Sequence, residues 1–395
     1  MQQKLTFVTK EPKAGGAAGS SCCAPADAGS RDLARDLLCC PQEEKNAPSW
    51  VCGAVPSPAG AVPRVSAAWS ASDRWGMVKS RTGAYRMRYS VPAGLYAVGE
   101  PGKESDVLVT ANYKLSFDLL RRSLAGLSAW VLVLDTKSIN VWCAAGKGTF
   151  GTEELVKRIV EARLSETVSH RRIIVPQLGA VGVDAAAVQK RTGFRVSFGP
   201  VDARDIPAYI AKGYRKTEAM RTIRFPMRDR LVLTPMEINP AMKKFPWFAA
   251  AVLLLFGLEP SGVLFHEAWQ NGLPFLLLGL LAVFSGAFLT PVLLPFVPFR
   301  SFALKGWIVG LVAVVAVRLL AGLHVPGGAI VSAAAYLFFP ALSSYIALQF
   351  TGSTTYTGMT GVRKELRYAI PAYIGSTGLA AVLLVIFKLR EWGLV

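Results

Sequence analysis

Ile139-Asn140-Val141-Trp142-Cys143-Ala144-Ala145-Gly146-Lys147-Gly148-Thr149-Phe150-Gly151 lies between two segments whose characters decide the fold. Ahead of it, Trp130-Val131-Leu132-Val133-Leu134-Asp135 is an apolar run of the kind buried in a parallel sheet. Behind it, Thr152-Glu153-Glu154-Leu155-Val156-Lys157-Arg158-Ile159-Val160 reads as a helix, with Thr152 as cap and two acids in its first turn. A lone cysteine among small residues just past the C-terminal end of a strand stands where open α/β sheets bind their ligands.

Working outward, the same alternation recurs. Strands are expected at 106–110, 172–176 and 194–198, and helices at 116–124, 153–164, 184–190 and 205–212. Upstream, 84–89 alternates like an early strand and 92–99 reads as a turn-rich loop. Helices of about ten residues between strands argue for a doubly wound, mostly parallel sheet covered on both faces. Right-handed crossovers bring the exit loops to one edge. Thr110, Asn112 and Tyr113, the 136–147 segment, Gln177, Leu178, Gly179 and Ala180, and Gly199, Pro200 and Val201 are therefore expected to converge on one crevice.

Residues 1–72, rich in Gly, Ala, Ser and Pro, read as a flexible leader, with one short helix at 31–38. The folded domain is expected over 73–225, opening at Asp73-Arg74-Trp75-Gly76, and a linker over 226–245. Five of the six cysteines, Cys22, Cys23, Cys39, Cys40 and Cys52, fall in the leader. Adjacent Cys-Cys pairs lack zinc spacing, although thiolates suit soft metals in general. The first residues lack the apolar core of a signal peptide, which favours a reducing cytoplasm for this half.

The mean hydropathy of +0.36 is concentrated after residue 246, where five spans are expected: 246–258 extending toward 265, 273–294, 303–323, 329–348 and 368–387. The loop at 259–272 carries no Lys or Arg, and neither does 324–328. Arg228, Arg230, Lys243, Lys244, Arg300, Lys305, Arg363, Lys364 and Arg367 flank the opposite ends, so the N-terminal domain is expected on the cytoplasmic side of the inner membrane. Arg318, inside a span, has to snorkel or pair. The net charge of +18 comes with no nucleic-acid motif, so it is read as contact with anionic lipid and not with nucleic acid.

What needs a thiol at position 143? Gly146-Lys147-Gly148-Thr149 is not a phosphate loop, because Val141 and Gly148 occupy the places of the required Gly and Ser/Thr. A nucleophilic cysteine wants a histidine, and the chain has only His170, His266 and His324. If 140–147 is helical, Asn140, Cys143 and Lys147 share a face, with room beside Ala144, Ala145 and Gly146 for something broad and flat. Two readings stay open: a buried thiol acting as a small hydrophobe, or a single axial ligand to a bound metal cofactor. Asn140 is an N-cap or a cofactor contact, and Lys147 a cofactor contact or a helix-end cation.

Asn140-Val141-Trp142-Cys143-Ala144-Ala145-Gly146-Lys147 resembles the signature of the mercury-methylating corrinoid protein family, HgcA. The likeness continues through 92–99, 107–118, 130–136, 148–155, 170–180 and 193–201 into a multi-span tail, adding Thr136 and Thr149 to the candidate cofactor contacts. The leader lies outside it, and 181–186 departs from the family pattern. The resemblance implies a Rossmann-like domain similar to that of the corrinoid iron–sulfur protein. It implies a base-off, cobalamin-type corrinoid with the Cys143 thiolate as cobalt ligand. It further implies an HgcB-like ferredoxin with two [4Fe-4S] clusters as reductant, a methyl-donating methyltransferase of the tetrahydrofolate pathway, and Hg(II) as substrate. The implied enzyme is a corrinoid-dependent methyltransferase that forms methylmercury. An electron-rich thiolate trans to the methyl would suit an electrophilic acceptor. The alternatives are a corrinoid methyl carrier of one-carbon metabolism with another native acceptor, or a transporter with a regulatory cytoplasmic domain. The transporter should show paired broken helices and several intramembrane charges.

Overall fold

The computed structural model describes residues 48–354 and 356–395. The helix expected at 31–38 and Cys22, Cys23, Cys39 and Cys40 lie outside them.

Seven strands form one mixed sheet: β1 (Val51–Ser57), β2 (Gly60–Val65), β3 (Gly94–Val98), β4 (Val107–Ala111), β5 (Ala129–Leu134), β6 (Arg172–Val175) and β7 (Arg195–Phe198). Their spatial order is β1-β2-β3-β5-β4-β6-β7. The β5-β4-β6-β7 half is parallel throughout. β3 runs antiparallel to β5, and β1 antiparallel to β2. Helices α1 (Ala71–Ser80), α2 (Lys114–Ser123), α3 (Val141–Lys147), α4 (Thr152–Glu161), α5 (Leu164–Thr167), α6 (Ala185–Thr192) and α7 (Ile206–Ala211) complete the domain. Side chains of β5 alternate between two cores, as a strand covered on both faces requires. Trp130, Leu132 and Leu134 pack with Leu155 and Ile159 of α4 and Val188 of α6. Val131 and Val133 pack with Phe117 and Leu120 of α2 and with Tyr209 of α7. The winding reverses between β4 and β6, the place where such sheets open a crevice.

Three expectations are corrected. Residues 51–65 are not leader but an edge hairpin of the main sheet, hidden in the sequence by Pro56, Pro58 and Pro63. The 92–99 segment is not a loop, because residues 94–98 form β3 beside the most buried strand. The 84–89 alternation is not a strand: Ala84–Met87 is a 3₁₀ turn, and the Tyr85 ring packs on Tyr89 at 5.2 Å.

A buried ionic cluster fastens α1 to α2. Lys114 Nζ donates to Asp73 at 2.8 Å and to Asp118 at 2.7 Å, and Arg121 Nε donates to Asp118 at 2.8 Å. Arg121 also donates to the carbonyls of Ser66 and Ala68, and its Nη2 meets Asp73 at 2.8 Å as a charge contact without hydrogen-bond alignment. All four side chains are buried. Two acids and two bases balance, the condition under which burying charge is tolerable.

After α8 (Glu218–Arg221) and α9 (Met227–Leu233) come α10 (Pro235–Gly257), a two-strand turn of β8 (Leu258–Glu259) and β9 (Gly262–Val263), and α11 (Phe265–Phe284). A π-turn at Ser285–Leu289 leads to α12 (Thr290–Leu293), and α13 (Phe302–Leu320), α14 (Gly328–Gln349) and α15 (Met359–Glu391) follow. Among the described residues, four helical stretches are long and apolar enough to cross a membrane: Phe265–Leu293, Phe302–Leu320, Gly328–Gly352 and Thr360–Glu391. α10, the fifth expected span, falls short of that length and apolarity because it carries Lys243 and Lys244 at its centre. Its apolar stretch, 245–257, rises only about 20 Å, against a hydrocarbon core of about 30 Å. That stretch packs antiparallel on α11, with Gly257 against Ala268 and Gly279 against Phe248. Arg230 of α9 and Lys305 of α13 both donate to backbone carbonyls at the C-terminal end of α12, where the helix dipole favours cations.

Asp73 carries the acid sensitivity of this fold. Burial alone would raise its pKa, but hydrogen bonds from Lys114 and the Ser70 backbone, with the charge of Arg121, outweigh it and hold the carboxyl well below the usual range. Its stabilisation is therefore present at neutral pH and lost as pH falls below about 4. Asp118→Asn, which leaves Lys114 and Arg121 under-compensated, should cost about 3–5 kcal/mol, read as a lower urea midpoint in tryptophan fluorescence.

Candidate functional site

The site is built from the exit of β4. The Asn112 carboxamide oxygen accepts from Thr136 N (3.1 Å), Thr136 Oγ1 (2.9 Å) and Ser138 N (3.1 Å), and its amide donates to Asp135 at 3.1 Å. The loop so gathered contains Lys137 and Ser138 at φ 58° and 60°, a left-handed conformation that side chains other than glycine disfavour. The one hydroxyl proton of Thr136 is shared between Asn112 and the Ile139 carbonyl, which lies 2.6 Å from Oγ1. This strained turn delivers the chain to α3.

Asn140 is the N-cap of α3: its side-chain oxygen accepts from Cys143 N at 2.9 Å. Gly148 ends the helix at φ 81°, a conformation that suits glycine. Ala144 and Ala145 are buried beneath, and Phe150 is wholly buried. Two glycines of the segment after β6 let it close on α3. A Cβ on Gly179 would lie 2.5 Å from the Phe150 ring, and one on Gly182 would lie 2.2 Å from Phe150 O and 3.1 Å from Ala145 Cα. Thr152 N donates to Gly182 O at 3.2 Å, and Asp184 N donates to Thr152 Oγ1 at 2.8 Å. The cap helix is thus gripped at its start by Asn112 and beneath its end by residues 179–184.

Cys143 is half-buried on this helix. Burial pushes its thiol above the ordinary value, while Lys147, a hydrogen bond from Asn140 and the charge of Arg86 pull it back. Arg86 comes from the 3₁₀ turn and had no signal in the sequence, since nothing local relates it to a residue so far along the chain. Gly146 and Lys147 are exposed, and a Cβ added at Gly146 would meet nothing within 4 Å. The outer side of α3 is open at Gly146 and carries one thiol, Cys143, and one base, Lys147. No group of three or more His, Cys, Asp or Glu gathers to hold a bare metal ion among the described residues. A single axial thiol fits a metal that brings its own equatorial ligands.

The other sequence candidates divide. Thr110 is buried in β4, and Asn112 and Thr136 are buried and committed to each other, so they support the site rather than line it. Tyr113 is half-buried ahead of α2. Val141, Trp142 and Thr149 are half-buried on or beside α3. Gln177 accepts from Lys216, Leu178 and Ala180 are half-buried, and Gly179 is spent on Phe150. Gly199 packs on Ile174, Pro200 is buried, and Val201 N donates to Met220 O at 3.0 Å, so this loop is tied to α8.

Residues 84–210 match the CO dehydrogenase/acetyl-CoA synthase delta subunit family. That match includes α3 and its supports. Among curated relatives, the acetyl-CoA decarbonylase/synthase complex subunit gamma of Archaeoglobus fulgidus is 30% identical over 135 residues, which is 34% of this chain and 28% of that protein. The Methanopyrus kandleri subunit is 32% identical over 124 residues, 31% of this chain and 26% of its own. Subunit gamma 2 of Methanosarcina thermophila is 32% identical over 134 residues, 33% of this chain and 28% of its own. The chain thus spans little more than a quarter of the length of these relatives.

These similarities correct the activity expected from the octapeptide. A mercury-methylating transferase, with Hg(II) as substrate and an HgcB-like ferredoxin and tetrahydrofolate-pathway methyltransferase as partners, gives way to the alternative of a carrier with another native acceptor. The relatives similar to about a third of this chain are subunits of a decarbonylase/synthase complex. An axial thiol governs how a cofactor is held and says little about which acceptor follows, so the signature was read too narrowly.

The grip on α3 is open to test. Gly182→Ala should destabilise the cap by about 1–3 kcal/mol through overpacking. Gly146→Ala, with free space around it, should strengthen the helix by up to about 1 kcal/mol. Amide hydrogen exchange across 141–150 should be faster in the first variant and slower in the second.

Proposed function

We propose that residues 51–211 form a corrinoid-carrying domain that relays a one-carbon unit in acetyl-CoA or related one-carbon metabolism, held at the face of a membrane by the helices that follow. The observation that carries this reading is a single half-buried thiol on a short, doubly gripped helix beyond the sheet edge. The named relatives, subunits of a decarbonylase/synthase complex, support it over a third of the chain.

A corrinoid bound there supplies a cobalt able to accept a methyl group and pass it on. Cys143 would hold the metal through its thiol, the one soft donor on the open side of α3. Asn140 fixes the first turn so that the Sγ direction is set before binding. The open side of Gly146 leaves room for a flat ring to approach the backbone. Lys147, exposed at the helix end, is placed to meet polar groups at the ring's rim. Asn112 and Thr136 keep the approach turn in its strained form, so little ordering remains to be done on binding.

The exposed bases Arg224, Arg228, Lys243, Lys244, Arg300, Arg363, Lys364 and Arg367 support a cytoplasmic placement of the domain. Ring contacts of Phe225 with Phe350 and Tyr356, and hydrogen bonds of Glu365 with Ser301 and Ala303, hold several of these segments at one end of the bundle. The sheet domain reaches the same juxtamembrane segment, since Asn239 donates to the Thr82 carbonyl.

Purified full-length protein in detergent, loaded with hydroxocobalamin, should retain a corrinoid whose visible and EPR spectra lack the signature of nitrogen ligation from its own base. Cys143→Ala should change those spectra, and Gly146→Ala should lower retention while raising thermal stability. Identical spectra for the wild type and Cys143→Ala would sink the ligand assignment. Methyl-loaded protein should pass its label to thiol or metal–thiolate acceptors; transfer to Hg(II) and to none of these would overturn the carrier reading.

A further inference from the structure

The sheet domain touches α10 through the segment that follows α1. Asn239 donates to the Thr82 carbonyl, and Arg86 Nη1 lies 3.9 Å from Met236 Sδ. Packing around this contact sets its level in the bundle. Ile238 and Ala241, on either side of Asn239, pack with Val283, Ala287 and Ile346. Ile346 is in the last turn of α14, and Ala287 is about 9 Å of helix rise from Leu293. Thr82 is therefore beside the end of the bundle that carries the exposed bases Arg228, Arg300, Arg363, Lys364 and Arg367.

Next to this contact the domain exposes a surface that is both apolar and basic. Trp75, Val78, Tyr85 and Met87 are large apolar side chains open to solvent, Trp75 by 59% and Met87 by 52%. Arg74, Lys79, Arg86 and Arg88 are exposed among them. On α1, Trp75, Val78 and Lys79 share a side by their spacing. Lys79 Nζ lies 5.4 Å from the centroid of the Trp75 ring and 5.8 Å from that of Tyr85, which joins α1 and the 3₁₀ turn into one patch. The only acid over residues 71–90, Asp73, is buried and held by Lys114 and Arg121. Aromatic rings ringed by Lys and Arg are what a membrane–water interface takes up. The headgroup layer reaches about 5–7 Å beyond the hydrocarbon core, and beside the bundle it fills the space at the level of Thr82.

We propose that this patch is a membrane seat. Trp75, Val78, Tyr85 and Met87 enter the headgroup layer, and Arg74, Lys79, Arg86 and Arg88 pair with anionic phospholipid headgroups. Attraction of the bases draws the face down, and burial of the rings holds it there. The sheet domain is thus fixed in height by its own surface as well as by the chain that leads into α10. The seat is independent of the corrinoid reading, because no cofactor enters it.

Full-length protein in nanodiscs, with a spin label on the lipid headgroup, tests the seat. The difference between wild-type and Trp75→Phe emission isolates Trp75. In discs of three parts phosphatidylcholine to one of phosphatidylglycerol, the label should quench that emission and aqueous iodide should not. Arg74→Gln/Arg88→Gln should lower the ratio of seated to lifted face about thirtyfold, each base at an anionic surface contributing about 1 kcal/mol. Phosphatidylcholine alone should act in the same direction. Met87→Ser, which leaves the charge unchanged, should weaken quenching in both lipids. Gel filtration and helical circular dichroism confirm that each variant is folded. A wild-type Trp75 open to iodide in the mixed discs would overturn the proposal. So would a Trp75 shielded from both quenchers, as a covering protein segment or a second chain would leave it, or quenching indifferent to lipid charge and to both variants. Failure to retain a corrinoid would alter none of these results, so the two readings fail separately.

Discussion

The carboxamide oxygen of Asn112 accepts three hydrogen bonds from one turn, and the position of Cys143 depends on that. Two consecutive left-handed residues, Lys137 and Ser138, would relax if those bonds were absent. Their strain persists because β4 and β5 are paired along their whole length, which sets Asn112 opposite the turn. The sheet therefore does more than offer an edge. It holds a bent connection in one shape, and that connection aims a seven-residue helix.

Much of this was legible from local pattern. The apolar run at 130–135 and the capped helix after Thr152 are strong signals, and β5 and α4 fall close to where they point. Asn140 as N-cap of α3 was equally legible, because a short polar side chain before a helical segment has few other uses. What escaped the sequence is everything set by pairing across distance. β3 hides between Pro92 and Gly99, and pairing with β5 and β2 makes a strand of it. Residues 51–65 hide among prolines tolerable near a sheet edge. Asn112, Thr136 and Gly179 lie on the expected exit loops, and in the structure each braces a neighbouring segment. Proximity to an exit loop does not distinguish a side chain that meets a ligand from one that braces its neighbour.

The membrane half shows the same division between composition and context. Hydropathy points to the four long apolar helices, while the apolar end of α10 is a shorter run beside a turn, preceded by Lys243 and Lys244. Lys388, near the end of the last helix, is buried and paired with Glu259 and Glu391. It ties the last helix to the turn between α10 and α11. A cation that is neutralised in this way no longer votes on orientation.

The outer strand of the hairpin, β1, has its register broken at Cys52 and carries Pro56, which has no N–H to donate. Domains tethered to a bilayer diffuse in two dimensions and meet side by side far more often than free ones. An unbroken strand at that rim would be a template for sheet-to-sheet growth between neighbours. The bulge and the proline make β1 a poor one, so crowding on the membrane need not end in aggregation.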